Sequence, residues 1–328
     1  MYRLVLVPLD GSPFAEQAIP WAQSIAQRTG AMIQLVHVHR PMEDEYPEHH
    51  FLSEDTLATE FKTRQRDYLD RLTIRLRAAG AHLGDPLILE GDIARAIHQF
   101  VSDKKADLVV MTTHARGPVA RMWLGSVADQ LIRELASPLF LIHPDERKAP
   151  SAEITLKHIL VPLDGTSLAE QIIVPAVALG ELMGAEYTLV RVIKPIVPIH
   201  YPAAGAAAGT SSDEINQQLQ RIETESRCKA LEYLDGVAER LRSNLLRVRT
   251  LVVDDAHPAT AILEATKTTS ANLIAMQTHG RRGLARLLLG SVADKVLRSA
   301  RTPVFVQRPR SMPFSSSRQE TSLQDALQ

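Results

Sequence analysis

Cysteine is almost missing from this sequence, and so is any imbalance of charge. Cys228 is the single cysteine among 328 residues, which excludes an intrachain disulfide framework and a thiolate-rich metal site. Lys and Arg number 37 against 38 Asp and Glu, so no global field draws the chain to nucleic acid or to an anionic membrane. No apolar run approaches the roughly 18 residues of a membrane helix, and residues 1–10 lead directly into a short strand. We therefore expect a cytoplasmic protein without a signal peptide, a membrane span or a nucleic-acid partner.

What the sequence does contain is an internal repeat. Residues 6–11 recur as 160–165, and residues 125–129 recur as 290–294. The offset grows from 154 residues in the first pair to 165 in the second, so the second copy is 11 residues longer, mostly within residues 194–212. A period of this length indicates duplicated domains and not a solenoid.

Short apolar runs alternate with helical patterns in both copies. The predicted strands are residues 4–7, 33–38, 87–89, 108–111 and 139–142, then 159–161, 187–192, 248–253, 273–276 and 304–306. Helical spacing of apolar residues covers 15–26, 57–76, 93–101 and 126–135 of the first copy, with Gly30 and Gly80 at the positions of helix C-terminal caps. This alternation predicts two Rossmann-like, doubly wound α/β domains, each a five-stranded, mostly parallel sheet with helices on both faces.

Changes in composition suggest the domain boundaries. We predict a first domain over residues 1–144, a charged, Pro- and Ser-containing linker over 145–156, and a second domain over 157–308. Residues 309–328 are rich in Ser and Gln with little apolar content, which is typical of a disordered tail.

The most informative stretch follows the fourth predicted strand of the second copy. The strand leads into a basic loop containing Gly280, and Gly290-Ser291 then begins another helix. Glycine allows backbone N–H groups to approach an anion closely, and the first turn of a helix offers unpaired N–H donors. Ser291 either caps that helix or turns its hydroxyl toward a phosphate oxygen. The arrangement is typical of a phosphate-binding loop.

The spacing of these glycines resembles the motif of the universal stress protein family, Gly-x2-Gly-x9-Gly-Ser. Gly280 is separated from Gly290-Ser291 by nine residues, whereas Gln277 stands where the first glycine belongs. No Gly-Lys-Ser/Thr follows, so the loop is not a Walker A motif. The resemblance extends over both copies, about residues 2–144 and 157–308, and implies the adenine nucleotide alpha hydrolase-like variant of the fold with an adenine nucleotide at each motif.

This resemblance implies a role for each matching residue. The aspartate after strand one would accept hydrogen bonds from ribose, the end of strand two would bind adenine, and the loop and helix start would bind phosphates. The residues predicted for the second domain are Pro162, Asp164, Val192, Met276, Gln277, His279, Gly280, Gly290, Ser291 and Val292. The corresponding set in the first domain is Asp10, Val38, Met111, His114, Gly125 and Ser126. Because Thr112 and Ala115 replace two glycines there, we rank the second domain above the first as a nucleotide site.

Structural explanations compete with these roles. Asp10 and Asp164 could cap the first helix of each copy, with Asp-Gly forming a tight turn. Gly280 and Gly290 could serve a turn and helix packing in a protein that no longer binds nucleotide. Gln277 would cost about 1 kcal/mol or more if its position required a positive φ.

Other polar residues have equally ordinary explanations. Basic loop residues such as Arg281, Arg282 and Arg286 suit a triphosphate but are more often simply solvated. His49-His50 lies in a polar stretch without the helical spacing of a metal site, so we expect no metal there.

The functional hypothesis is a stress-response protein that binds ATP or a related adenine nucleotide, with or without Mg²⁺, as a regulatory ligand. No catalytic set is visible, so any ATP hydrolysis would be slow. Two alternatives stay open: an interaction or scaffold protein with degenerate pockets, and a weak ATPase or autophosphorylating protein. The terminal strands, at residues 138–142 and 303–306, are expected to pair the two domains about a pseudo-two-fold axis. A homodimer is a further possibility, and protein partners are unknown.

Overall fold

The computed structural model describes residues 2–40, 54–113, 124–144, 154–195, 212–278 and 289–309. Most of the predicted linker and nearly all of the predicted tail lie outside these ranges. His49-His50 also lies outside them. In the described part of the chain, each repeat forms a five-stranded sheet with helices on both of its faces.

The elements of the two repeats follow each other in the same order. In the first repeat they are β1 (Leu4–Leu9), α1 (Pro13–Glu16), α2 (Ile19–Thr29), β2 (Met32–His39), α3 (Glu54–Ala78), β3 (Leu87–Glu90), α4 (Ile93–Lys104), β4 (Leu108–Thr112), α5 (Ser126–Glu134) and β5 (Leu139–Ile142). In the second they are β6 (His158–Pro162), α6 (Ser167–Glu170), α7 (Ile173–Glu181), β7 (Glu186–Ile193), α8 (Ser212–Arg242), β8 (Val248–Asp254), α9 (Pro258–Thr268), β9 (Leu273–Gln277), α10 (Ser291–Ser299) and β10 (Val304–Gln307). All ten predicted strands are confirmed, with ends shifted by at most two residues.

The strands join in one sheet in the order β3-β2-β1-β4-β5-β10-β9-β6-β7-β8. Every pair within a repeat is parallel. The pair formed by β5 and β10, where the repeats meet, is antiparallel. Apolar side chains fill both faces of the sheet, in one cluster beneath α2, α3, α7 and α8 and another beneath α4, α5, α9 and α10. The doubly wound α/β architecture predicted from the alternating pattern is confirmed.

The helical pattern over residues 15–26 is not one helix, because the structure divides it into α1 and α2. Ala18 N–H bonds to Ala15 O in a tight turn at the break. Pro20 lies at the start of α2, lacks an N–H, and would clash with the carbonyl of Glu16 in a continuous helix. The predicted caps are confirmed: Gly30 ends α2 with φ +73°, and Gly80 follows α3 with φ +82°.

Within the described ranges, no helix combines the length and apolarity needed to cross a membrane. The longest, α8, spans 31 residues, but it is an amphipathic helix rich in charged side chains.

Candidate functional site

A cavity of about 780 Å³ lies at the carboxyl edge of the second repeat's sheet. The ends of β6, β7 and β9 form its floor, and the starts of α9 and α10 and one face of α8 form its walls. From β6 the sheet extends to β7 on one side and to β9 on the other. This is the switch point at which ligands bind in open α/β sheets.

The cavity brings together every residue predicted for this site that the structure describes. Its lining includes Pro162, Asp164, Val192, Met276, Gln277, Gly290, Ser291 and Val292. The predicted residues His279 and Gly280 lie outside the described residues, as do the loop arginines. The nucleotide-binding roles of these residues stay predictions.

Asp164 forms the turn that leads from β6 into α6. Its Oδ1 accepts hydrogen bonds from the N–H (3.0 Å) and the hydroxyl (2.6 Å) of Thr166. Thr166 Oγ1 in turn accepts from Ala169 N–H at 3.2 Å, so Thr166 and not Asp164 is the N-cap of α6. Gly165, with φ +89°, makes the tight turn possible. The alternative in which the aspartate caps the helix is therefore wrong, whereas the tight Asp-Gly turn is confirmed.

The first repeat contains the same turn. Ser12 donates its N–H (2.9 Å) and hydroxyl (2.6 Å) to Asp10 Oδ1, and caps α1 by accepting from Ala15 N–H. Because Asp10 and Asp164 make equivalent local contacts, this geometry alone does not distinguish a ligand-binding aspartate from a purely structural one.

Gly290 and Ser291 begin α10, and their positions exclude one of the two roles left open for Ser291. Gly290 is the N-cap, and Ser291 is the first residue of the helix, so the alternative in which Ser291 caps α10 is wrong. The Ser291 position within the lining of the cavity is compatible with its other predicted role. The first turn of the nine-residue α10 has N–H groups without intrahelical acceptors, and these favour an anion.

The glycine before the helix has a structural role that sequence reasoning underestimated. Gly290 N–H bonds to Thr278 O at 2.9 Å, and Gly125 N–H bonds to Thr113 O at the same distance. A Cβ on Gly125 would lie 2.6 Å from that Thr113 carbonyl oxygen. This close approach explains why the first repeat keeps Gly125 although the other motif glycines are replaced.

Gln277, the departure from the family motif, is the last residue of β9 and is buried. It is not among the described residues with positive φ, so the expected strain does not arise. With its carboxamide oriented to satisfy both neighbours, Oε1 accepts from Ile172 N–H at 3.1 Å and the amino group donates to Gln307 O. The side chain thereby links β9 to α7 and β10.

Sequence reasoning missed the charged residues of the β7–α8 wall of the cavity, although it named Val192 of β7. Arg191 lines it, and its guanidinium lies over the Tyr233 ring at 5.1 Å from the centroid. A Cβ on Gly165 would come within 3.0 Å of this guanidinium, so Arg191 also packs against the Asp-Gly turn. The lysines Lys194 and Lys229 line the same wall. One signal was available in the sequence. His37 is the residue of the first repeat that corresponds to Arg191, so both copies have a polar residue at this point of a mostly apolar strand.

Tyr233 connects this wall to α6. Its hydroxyl donates to Glu170 Oε1 at 2.9 Å, and Arg240 donates to the other oxygen of Glu170 at 2.8 Å. Burial, followed by the negative charges of Glu170 and Asp164, raises the pKa of Tyr233, so the phenol keeps its proton. The arrangement recurs in the first repeat, where Tyr68 and Arg75 donate to Glu16.

The residues predicted for the first repeat occupy equivalent places. Asp10 follows β1, Val38 lies near the end of β2, and Met111 lies in β4. Gly125 and Ser126 repeat the N-cap arrangement of α10 at the start of α5. His114 lies outside the described residues.

The first repeat differs where His37 replaces Arg191. His37 is 8% exposed, and burial lowers its pKa despite the opposing effects of a hydrogen bond with the Leu9 backbone and the charge of Asp10. The first repeat therefore presents a neutral imidazole where the second has a permanent cation.

No cluster of three or more His, Cys, Asp or Glu suited to a metal ion occurs among the side chains that the structure places. The described site offers instead a carboxylate, three cationic side chains and a helix N-terminus.

Comparison with known proteins places both repeats in one family. The family model "Universal stress protein family" matches residues 1–143 and 155–308. A universal stress protein of Mycobacterium tuberculosis is 28% identical over 307 residues, which cover 93% of this chain and 96% of that protein.

A solved structure shows the same fold over both repeats. The crystal structure of a universal stress protein from Archaeoglobus fulgidus has a TM-score of 0.61 at 16% identity, covering 93% of this chain and 96% of its own. A universal stress protein crystallised in complex with cAMP is 23% identical, with a TM-score of 0.35, over 44% of this chain and 99% of its own.

Proposed function

The chain belongs to the universal stress protein family, and we propose that its second repeat binds ATP or a related adenine nucleotide as a regulatory ligand. The observation behind this proposal is the cavity at the switch point of the second sheet, which Asp164 lines together with the start of α10. The cytoplasm and a stress response are the setting that we propose for this binding.

The lining offers a complementary surface for each part of such a ligand. Met276, Val192 and Ile262 provide apolar surface for a purine, and Asp164 provides a carboxylate for ribose hydroxyls. The N–H groups at the start of α10 and the Ser291 hydroxyl suit phosphate oxygens. If Mg²⁺ accompanies the ligand, phosphate oxygens and water would supply most of its coordination, because Mg²⁺ needs only one or two carboxylates from the protein.

We also propose that the two repeats act as one pseudo-symmetric unit. The antiparallel pair of β5 and β10 supports this, as do polar contacts across the same boundary. His143 Nε2 lies 2.9 Å from Leu297 O, and Arg308 donates to Arg133 O at 3.1 Å. Association of two chains into a homodimer would leave this pairing intact.

The test is calorimetric titration of ATP into nucleotide-free protein, with and without Mg²⁺. Asp164→Ala is compared with Asp10→Ala, because both remove the same local hydrogen bonds. We expect Asp164→Ala to weaken binding by at least about tenfold, the effect of losing a hydrogen bond to a charged group, and Asp10→Ala to leave it unchanged.

A substitution of Gly290 is not a suitable probe, because it would disturb the approach of α10 to Thr278. If the two aspartate variants lose affinity equally, nucleotide binding is not specific to the second repeat. That result would contradict our assignment.

The rival proposal is an interaction module whose pockets bind no nucleotide. Gln277 favours it, because its side chain has a purely structural set of contacts. A ligand at about 100 times its Kd stabilises the folded state by about 2.7 kcal/mol. An unchanged unfolding temperature in millimolar ATP would therefore favour the interaction module and remove the nucleotide proposal.

A further inference from the structure

The cavity of the second repeat has two electropositive sides. On the β9 side lies the N-terminus of α10, with Gly290 and Ser291. On the β7 side lie Arg191, Lys194 and Lys229. β6 separates β9 from β7 in the sheet, so the two sides are about two strand spacings, or roughly 10 Å, apart. A single phosphate at the 5′ position would engage only one of these two sides.

On the β7 side of the cavity, Arg191 is held in place by two neighbouring residues. The ring of Tyr233 lies under its guanidinium at 5.1 Å, and the backbone of Gly165 packs against it. Tyr233 is itself fixed by its hydrogen bond to Glu170. Lys229 lies one helical turn before Tyr233 on α8, with its ammonium 2.6 Å from Glu225. A planar guanidinium held over an aromatic ring can bind a phosphate through two N–H groups at once.

The position of Arg191 relates it to ribose more than to the 5′ phosphates. Gly165, against which the guanidinium packs, directly follows Asp164, the residue to which we assign the ribose hydroxyls. The carboxylate of Asp164 would repel a phosphate attached to the same sugar. A permanent cation beside the turn offsets this repulsion.

We propose that the second repeat selects adenine nucleotides that have an additional phosphate on the ribose 2′ or 3′ oxygen, and that Arg191 is the residue that recognises this phosphate. The inference rests on the proposed nucleotide function and specifies its ligand class. The 5′ phosphate binds at the start of α10, while the ribose phosphate faces Arg191, with Lys194 and Lys229 adding positive charge around it.

The first repeat provides the internal comparison. It keeps the turn aspartate Asp10 and the tyrosine Tyr68, but His37 replaces the arginine. A buried, neutral imidazole cannot offset the charge of Asp10 or form a two-pronged contact with a phosphate. The single exchange of arginine for histidine should therefore remove the selectivity from the second repeat.

The experiment compares four ligands on the full chain at pH 8: AMP, ATP, adenosine 2′,5′-bisphosphate and adenosine 3′,5′-bisphosphate. Wild-type protein, Arg191→His and Arg191→Lys are titrated by calorimetry. Arg249→His is the control, because Arg249 is an exposed arginine on β8 paired with Glu186 and is not part of the cavity lining. The measured quantity is the ratio of the better bisphosphate's affinity to that of AMP.

We expect this ratio to be at least about tenfold in wild-type and Arg249→His protein, and to fall with rising salt concentration. Arg191→His should bring this ratio within about twofold of unity. Arg191→Lys should give an intermediate ratio, because lysine keeps the positive charge but lacks the paired N–H donors of the guanidinium. A cooperative thermal transition verifies that each variant is folded, and Arg191→Lys replaces the histidine variant if that one unfolds.

Three results would overturn the inference in different ways. If wild-type protein binds AMP or ATP without preferring either bisphosphate, the ribose-phosphate proposal fails and the nucleotide function stands. If the preference persists in both Arg191 variants, another residue recognises the phosphate and the assignment of Arg191 is wrong. If none of the nucleotides binds, the proposed function fails together with its extension.

Discussion

Phe140 and Phe305, equivalent residues of the two repeats, lie directly opposite each other in the antiparallel pair of β5 and β10. Their ring centroids are 6.5 Å apart, with the planes tilted by 54°, and both side chains are fully buried. Their flanking pairs are also exchanged symmetrically, Leu141 with Val304 and Leu139 with Val306. The local two-fold relation between the repeats therefore passes between these two phenylalanines.

Truncation of either phenylalanine should destabilise the whole chain. Phe140→Ala and Phe305→Ala each remove a fully buried ring, which costs about 3–5 kcal/mol of unfolding free energy. Phe140→Ala should cost more, because Phe140 also contacts Trp21, with centroids 5.0 Å apart. Urea unfolding followed by tryptophan fluorescence measures both.

The control for this pair is Phe61→Ala on α3, where the side chain is 44% exposed. It should cost less than about 1 kcal/mol, since little apolar surface returns to water. If Phe305→Ala costs no more than this control, the sheet is not continuous across the repeats in solution.

Replacement by alanine should change the stability of the protein in opposite directions at two glycines. Gly125→Ala places a Cβ 2.6 Å from Thr113 O and should lower stability by about 1–3 kcal/mol. Gly236→Ala, at an exposed site in α8 with open space around the added methyl, should raise it by about 0.5–1 kcal/mol. Thermal unfolding of the two single variants beside wild type tests both signs. A stable Gly125→Ala protein would show that α5 can move away from Thr113.

Removal of either turn aspartate should have the same structural cost. Asp10→Ala and Asp164→Ala each delete two hydrogen bonds that orient the capping residue, Ser12 or Thr166. Each variant should lose about 1–2 kcal/mol of unfolding free energy, measured without nucleotide. Equal losses would mean that any difference in nucleotide affinity between the variants reports on the ligand. Unequal losses would require the calorimetric comparison to be corrected for folding.

Stability should fall on the acid side because of His37. Its pKa in the folded protein lies below the ordinary value of 6.5, so the unfolded chain binds the proton more readily. Well above pH 6.5, His37 does not change the free energy of unfolding. As the pH falls from 6.5 toward the lower pKa of the folded state, His37 reduces the free energy of unfolding by a growing amount. The slope is at most about 1.4 kcal/mol per pH unit for one proton.

His37→Gln should flatten this slope in urea unfolding measured between pH 5 and 8. His257→Gln serves as the control, because His257 is 72% exposed. The same acid loss in wild-type and His37→Gln protein would assign it to other groups.

Much of the fold followed from local patterns. Most of the ten strands were predictable because they are short apolar runs buried on both faces of the sheet, as in β9 and β10. The edge strands β3 and β8 are partly exposed but are also short and largely apolar. Gly30 was predictable because a helix C-terminus commonly needs a left-handed residue. The division of α1 from α2 was missed because the spacing of apolar residues stays helical through the break, although Pro20 marked it.

The site was only partly predictable for a related reason. Asp164, Met276 and Ser291 lie in recognisable motifs next to strand ends, and all three line the cavity. Of the two roles left open for Ser291, the capping role is wrong, because the residue before it, Gly290, is the N-cap and approaches Thr278.

By itself the sequence determined the repeat, the family, the order of strands and helices and the edge of the sheet at which the candidate cavity lies. These depend on periodicity and on motifs of a few residues, which are visible along the chain. Only the tertiary structure decided that Arg191 of β7 lies over the ring of Tyr233 of α8 beside the Asp164 turn, and that Phe140 meets Phe305. Those contacts join residues that are distant in the chain, because the packing of helix on sheet and of one repeat on the other sets their distances.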